Sequence, residues 1–438
     1  MIKSRNFPRI FPGWWIVLSS GLLSLWGMGY YMYGISALFK PIASELGFTR
    51  AVTSIPAAIA NLLRVLESPL SGWLTDKYGP KWIVLIGGFF VGLGLVGMSY
   101  INSLWSYYIA WGIVVGTGMN IGMNVPMDTA IANWFVKKRG RAQGIKMVLT
   151  GLSGVLVLPL IAWLITSVGW RQTCLIGGIV MWVGGLPLAW FFLKRHRPEY
   201  YGLLPDGATT EEAVVSSQMI DKGVEYAAEV DEVEFTLRQA MKTSAFWLLI
   251  TAQAVHGLAW VAFQLHTIPF LTDIGIDPLA AAAMAVIYVS VGLPFRFIGG
   301  ILADRLKRQH LRFLMAGSYF LQAIGIIIFL LNQTTAMIYV WFVLLGIGWG
   351  SGITSYSVIG GRYFGRKAFG SIRGTGMAIM APVSIVSAIG AGWIYDTTGS
   401  YISAFVIFAA ALTATTIIVS MARPPKPPPQ ITGIRSIT

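Results

Sequence analysis

The sequence predicts an all-α membrane protein of twelve transmembrane helices, arranged as two pseudo-symmetric six-helix bundles. Three observations carry that prediction. Apolar residues make up 55% and charged residues 11% of the 438, whereas an ordinary soluble domain is about 25% charged. Twelve apolar runs recur along the chain, each near the roughly 20 residues that cross a bilayer as a helix. Motifs of the first half return in the second at a nearly constant offset. The 17 Trp, 17 Tyr and 23 Phe also exclude a disordered chain.

The first dozen residues are basic (Lys3, Arg5, Arg9) and lead into an apolar run with no small-residue cleavage site. An uncleaved first span is expected rather than a signal peptide. The apolar runs lie near 13–38, 51–73, 82–100, 104–132, 142–167 and 172–193. They resume near 244–270, 279–303, 312–331, 335–361, 374–395 and 400–421. The expected organisation is an N-terminal bundle over 1–193, a cytoplasmic central loop over 194–241, a C-terminal bundle over 242–421 and a disordered Pro-rich tail over 422–438.

Charge placement orients this topology. With both termini in the cytoplasm, 26 of the 32 Lys and Arg fall in cytoplasmic segments. Outer segments keep Lys40, Arg50 and Arg171, and Arg64, Lys146 and Arg296 remain within spans. This asymmetry accounts for the net charge of +14 without a nucleic-acid partner. The partners expected instead are the lipid bilayer, a small organic anion and protons, for a protein acting as a monomer, in the inner membrane if its source is bacterial. The central loop carries ten of the eighteen acids and reads as a solvated linker. Its end, 235–241, has the pattern of an amphipathic helix lying on the membrane surface.

The halves repeat one another. Gly72, Asp76 and Lys77 match Gly300, Asp304 and Arg305 at an offset of 228 residues, and Arg141 matches Arg373 at 232. Trp134-Phe135 matches Tyr363-Phe364, and Trp163 matches Trp393. Such a duplication is a common build for a transporter that rocks around a central site.

Gly72-x-Leu74-x-Asp76-Lys77-x-Gly79-x-Lys81 resembles the loop signature of the major facilitator superfamily. The resemblance covers essentially the whole chain and implies alternating access. Asp76 is placed to pair with cations or helix N-termini across the half-interface. Trp134-Phe135 with Lys138-Arg139-Gly140-Arg141-Ala142-x-Gly144 is similar to a loop of the oxalate/formate antiporter and monocarboxylate transporter families. Arg197-Pro198-Glu199 with the segment 202–207 is similar to the central loop of the antiporter group. The resemblance implies a secondary active transporter of small organic monocarboxylates, by proton symport or anion exchange. Alternatives are an exporter of amphipathic molecules on the same fold, or a carboxylate receptor that transports nothing.

Charges inside the membrane cost several kcal/mol unless paired or hydrated and are candidates for function. Arg296 stands out, because no acid lies on neighbouring turns of its helix. A substrate carboxylate would answer its guanidinium through bidentate hydrogen bonds; the structural alternative is bonding to helix carbonyls or to Glu67. Monocarboxylate transporters carry an arginine at the matching place. The chain departs from them at Gly292, where they have an acid, and at Tyr33, where they have a lysine. Its eleventh span also lacks the lysine that oxalate antiporters add, which favours a monoanion.

In the first half, Arg64, Glu67, Asp128 and Lys146 sum to zero and are expected to form one neutral buried network. Glu67 is alternatively a proton carrier, and Lys146 a second anion site. Asn120 and Asn124 in span four are candidate substrate donors or interhelix bonds. His256, with Trp260 one turn on, is a proton or hydroxyl ligand, or a histidine satisfied by a neighbouring helix. Tyr33 and Tyr356 are pocket hydroxyls. The lone Cys174 permits no internal disulfide and no cysteine-built metal site. No phosphate-binding glycine loop, His-Glu-x-x-His or Gly-x-Ser-x-Gly occurs, so no enzyme activity, metal or cofactor is expected.

Overall fold

A computed structural model describes residues 10–208, 216–229, 232–398 and 400–428. The described residues form helices, turns and connecting segments, with no strand among them. Span one comprises Pro12–Met28, a π-helical turn at Gly29–Gly34, and Ile35–Leu46. Span two is Arg50–Tyr78 and span three Pro80–Met98. Span four is pieced from Leu104–Tyr107, a π segment Tyr108–Val115, Gly116–Gly122 and Val125–Trp134. Span five starts as Arg139–Gly151 and passes a π turn at Ser153–Val157. Gly169, at φ +84°, then breaks the stretch Leu158–Val180 into the end of span five and the start of span six. Span six ends through Met181–Gly185 and Leu186–Phe192.

Spans seven to twelve are Ser244–Asp273, Pro278–Arg305, Leu311–Leu331, Thr335–Phe364, Phe369–Thr398 and Ile402–Met421. Local chemistry sets many boundaries. The Thr49 hydroxyl accepts from the Val52 N–H at the start of span two, satisfying an orphan donor of the first turn. Gly47, at φ +68°, ends span one in the left-handed conformation that glycine adopts without strain.

The spans gather into two bundles of six. Trp111, Trp134, Tyr30 and Tyr107 fill the first, with Cys174 fully buried among them. Trp341, Phe405 and Phe270 pack one end of the second, and Phe246, Tyr363 and Phe364 the other. Large apolar side chains such as Leu66, Val183 and Leu331 point outward instead, as a lipid-facing surface requires.

An even number of crossings puts the start of span one, the central segment and the end of span twelve on one face. There the bundles interlock. Span two crosses span eleven where Gly72 meets the backbone of Gly370, and Ser68 that of Gly374. Span five crosses span eight where Gly140 meets Gly300, and Gly144 the backbone of Arg296 and Phe297. A Cβ at Gly300 would overlap the Gly140 carbonyl, and rigid backbone cannot yield. Gly300→Val is therefore expected to hold the bundles apart at this face, abolish flux in proteoliposomes and speed labelling of a cysteine placed at Ser68.

The central segment departs from a solvated linker. Asp206 is buried and accepts from the backbone N–H groups of Val136, Lys137 and Lys138. Glu199 and Glu232 are buried too, and Ser216–Ala228 is helical. The expected helix is present as Leu237–Met241, capped reciprocally by Thr236 and Gln239. The residue leading into it is anchored on span ten: Phe235 is buried against Phe364, and its N–H donates to the Phe364 carbonyl at 2.9 Å. The start of the tail is extended but docked, because Arg308 donates to the Pro425 carbonyl and Tyr363 to that of Ala422. The rest of the tail, 429–438, and the basic residues Lys3, Arg5 and Arg9 lie outside the described residues.

Candidate functional site

Arg296 projects from span eight into the interface between the bundles and is 4% exposed. Its Nη1 donates to the Met147 carbonyl of span five at 2.7 Å. The guanidinium lies 4.6 Å from the ring centre of Trp349 in span ten. Its Nε has no hydrogen-bond partner, and no carboxylate among the described residues pairs with it. The structural alternative is thus met in part, by a carbonyl and not by Glu67. One edge of the fork is engaged and donor capacity remains.

Small residues and π turns make room for this side chain. A Cβ on Gly151 would overlap Nη1 of Arg296. Three residues on, Gly154 lies in the span-five π turn, where a Cβ would meet the Tyr33 ring at 3.2 Å. Tyr33 itself sits in the π turn of span one. Tyr33 and Tyr288 are close enough to couple electrostatically to the guanidinium. Nothing in the sequence singles out Trp349 or Gly151, because neither a stacking partner nor a close approach leaves a periodic signal. π turns concentrate at functional sites in proteins generally.

The expected single network of Arg64, Glu67, Asp128 and Lys146 is two clusters. Glu67 accepts from the Thr117 hydroxyl and, at 2.8 Å, from the Asn120 amide. Arg64 donates to the Asn120 carbonyl oxygen instead of pairing with Glu67. Asn120 is therefore committed to a span two–span four network, while Asn124, at the break in span four, does not cap the following helix with its side chain. Thr117, Asn120 and Asn124 recur at intervals of three and four, a spacing that places Thr117 on the same face.

Asp128 forms the second cluster. Lys146 lies 3.1 Å from one carboxylate oxygen and Arg373, of the other bundle, 2.6 Å from the second. Arg373 in turn lies 5.4 Å from the Tyr356 ring. Helical spacing within one half cannot reveal a cation supplied by the other. The cluster carries a net single positive charge and ties spans four and five to span eleven.

His256 is turned into the packing of spans seven and nine. Its Nε2 meets the Gln322 side-chain oxygen at 3.1 Å, and its ring lies 4.6 Å from that of Tyr319. This matches the neighbouring-helix alternative rather than a substrate ligand. The side chain of Trp260 lies outside the described residues.

The two copies of the loop signature act crosswise. Asp76 accepts from the Gly370 and Ser371 N–H groups at 3.0 and 2.7 Å, at the start of span eleven. Asp304 accepts from those of Gly140 and Arg141 at 2.6 and 3.0 Å, at the start of span five. Each carboxylate thus rests on the positive end of a helix in the opposite bundle. Lys77 lies over the Trp73 ring, and Gly79, at φ +87°, turns span two into span three. Arg305 is exposed at the end of span eight.

Beyond these pairs, the central segment straps the bundles together. Arg139, at the start of span five, lies 3.0 Å from Glu232, and Arg366, in the turn before span eleven, lies 2.8 Å from Glu199 and 3.5 Å from Glu232. All four side chains are at most 3% exposed.

Two six-helix bundles, closed on one face by reciprocal carboxylate caps around a membrane-buried arginine, define a membrane transporter. The chain belongs to the Major Facilitator Superfamily, whose family model matches residues 19–388. It is 25% identical to monocarboxylate transporter 13 of Rattus norvegicus, over 92% of this chain and 87% of that one. It is 23% identical to the oxalate:formate antiporter of Oxalobacter formigenes, over 94% and 93%. Among solved structures, the human organic anion transporter MFSD10 superposes with a TM-score of 0.69 at 13% identity, covering 93% of this chain and 99% of that one. FucP in its outward conformation gives 0.64 at 12% identity, over 93% and 98%. At those identities the structures establish the fold alone.

Proposed function

We propose that this protein is a secondary active transporter that moves a small organic monocarboxylate, such as lactate or formate, by alternating access. The observation that carries the reading is the Arg296 guanidinium, buried between the bundles, held on one edge by the Met147 carbonyl and lacking a carboxylate partner among the described residues. A desolvated arginine with free donors binds a planar carboxylate bidentately. The full-length relatives named for monocarboxylate and oxalate:formate transport point to the same chemistry.

On this reading 1–193 and 242–421 are the rocking bodies, and 194–241 joins them on the cytoplasmic side, as the distribution of Lys and Arg implies. Substrate enters from the opposite side, because the cytoplasmic face is the interlocked one. It replaces the Met147 carbonyl on Arg296 and so loosens the span five–span eight crossing. Glu67, hydrogen-bonded but without an ion pair among the described residues, is an acid available to couple a proton.

A thermal-shift panel on the purified protein tests the reading, with lactate, formate, oxalate, aromatic carboxylates and uncharged analogues. A ligand at a hundred times its dissociation constant stabilises by about 2.7 kcal/mol. Selective stabilisation by monocarboxylates is the expected result. No response to any carboxylate would overturn the assignment.

A further inference from the structure

A cleft of about 240 Å³ opens on the central-loop face, away from Arg296, beside the grip of Asp76 on Gly370 and Ser371. Five cationic side chains line it: Lys77, Arg195, Arg197, Arg366 and Lys367. Its acids are already engaged. Glu199 pairs with Arg366, and Asp76 is held by the backbone N–H groups of span eleven. Arg197 is itself paired, with Glu234 at 2.6 Å. Lys77, Arg195 and Lys367 are left with no carboxylate among the described residues, and all three are exposed. Crowding is felt nearby: burial and the Arg195 charge hold the His196 imidazole below its ordinary pKa.

We infer that this cleft is a binding site for a phosphate-bearing anion, clamped by Lys77, Arg195 and Lys367. Cations brought together from a helix end and two connecting segments repel one another unless a multivalent anion sits among them, and a phosphate offers several strong acceptor oxygens at once. Lys77 ends span two of the first bundle, Arg195 lies just beyond span six at the start of the central segment, and Lys367 belongs to the second bundle. The clamp is therefore complete only while Asp76 holds the start of span eleven. An anion bound there stabilises the interlocked conformation, since a ligand shifts a two-state equilibrium by its differential affinity.

Two sources supply this chemistry, a soluble phosphate compound and the headgroup of an acidic phospholipid. Exposed Trp73, Tyr78, Trp82 and Trp190 beside the cleft set its rim at headgroup level, where aromatic belts lie. The test measures melting of the full chain in two arms. One titrates inorganic pyrophosphate into detergent-purified protein; the other compares nanodiscs of phosphatidylcholine with and without phosphatidylglycerol. Stabilisation is expected in at least one arm, and in the Arg195→Gln/Lys367→Gln double variant it should weaken by about tenfold or more in ligand concentration. A response to pyrophosphate identifies a soluble ligand, and a response confined to phosphatidylglycerol a lipid. No response in either arm, or an equal response in wild type and variant, overturns the proposal. Both substituted residues are exposed, so folding is not at stake. That an anion here favours the interlocked conformation rests on the proposed alternating access, but carboxylate stabilisation depends on Arg296 and not on this cleft, so either idea can fail alone.

Discussion

Arg296→Ala is expected to weaken carboxylate binding by roughly thirtyfold to several-thousandfold while leaving a folded protein. Truncating one partner of a buried hydrogen-bonded charge pair costs about 2–5 kcal/mol, and each 1.36 kcal/mol is a factor of ten. The fold tolerates the change because no carboxylate is left behind unpaired. What is lost is one bond to the Met147 carbonyl and the stacking on Trp349, offset by removing a desolvated cation. Arg296→Lys should recover little, since an ammonium keeps the charge but neither the planar fork nor the stacking. Gly151→Ala should mimic the loss in part without touching any charge, because its Cβ overlaps Nη1. Calorimetric titration with the best ligand of the panel, alongside melting and size-exclusion profiles, reads all three. Wild-type affinity in Arg296→Ala would remove this residue from the site.

Much of this architecture was legible in the chain, and the repeated signature shows why. Hydropathy and the duplicated Gly72…Asp76 and Gly300…Asp304 segments report local requirements, an apolar helix surface and a small residue where backbones touch. Those requirements are met in the fold by Gly370 and Gly140. Partner choice across the bundles was not legible. Asp128 reads as a partner of Lys146 because both lie in the first half, yet its shorter contact is to Arg373 of the second. The π turns around Tyr33 and Gly154 also left no mark, since each shifts the register of a helix already apolar on every side. The central segment misled most, because acids crowded in a polar stretch look solvated whether or not arginines from two distant loops reach them.

That segment gives the second large expected effect. Glu232 is the anion shared by Arg139 of the first bundle and Arg366 of the second. Glu232→Gln leaves Arg139 with only the carbonyls of Phe135 and Ala132, and Arg366 with only Glu199 as an anionic partner. Breaking a buried pair by removing one member costs about 3–5 kcal/mol. If the strap opens with each transport cycle, that cost falls on the interlocked state alone. The protein should then shift toward the conformation open on this face, with faster maleimide labelling of Ser68→Cys and little change in melting. Ser68 suits the purpose because it is buried where span two meets Gly374, and Cys174, buried within the first bundle, adds no background. If the strap stays closed throughout the cycle, the same substitution lowers the melting temperature and leaves labelling unchanged, and the two arginines then fasten the loops to the bundles without gating them. Glu199→Gln should act in the same direction as Glu232→Gln, because Arg366 is the cation that both acids hold.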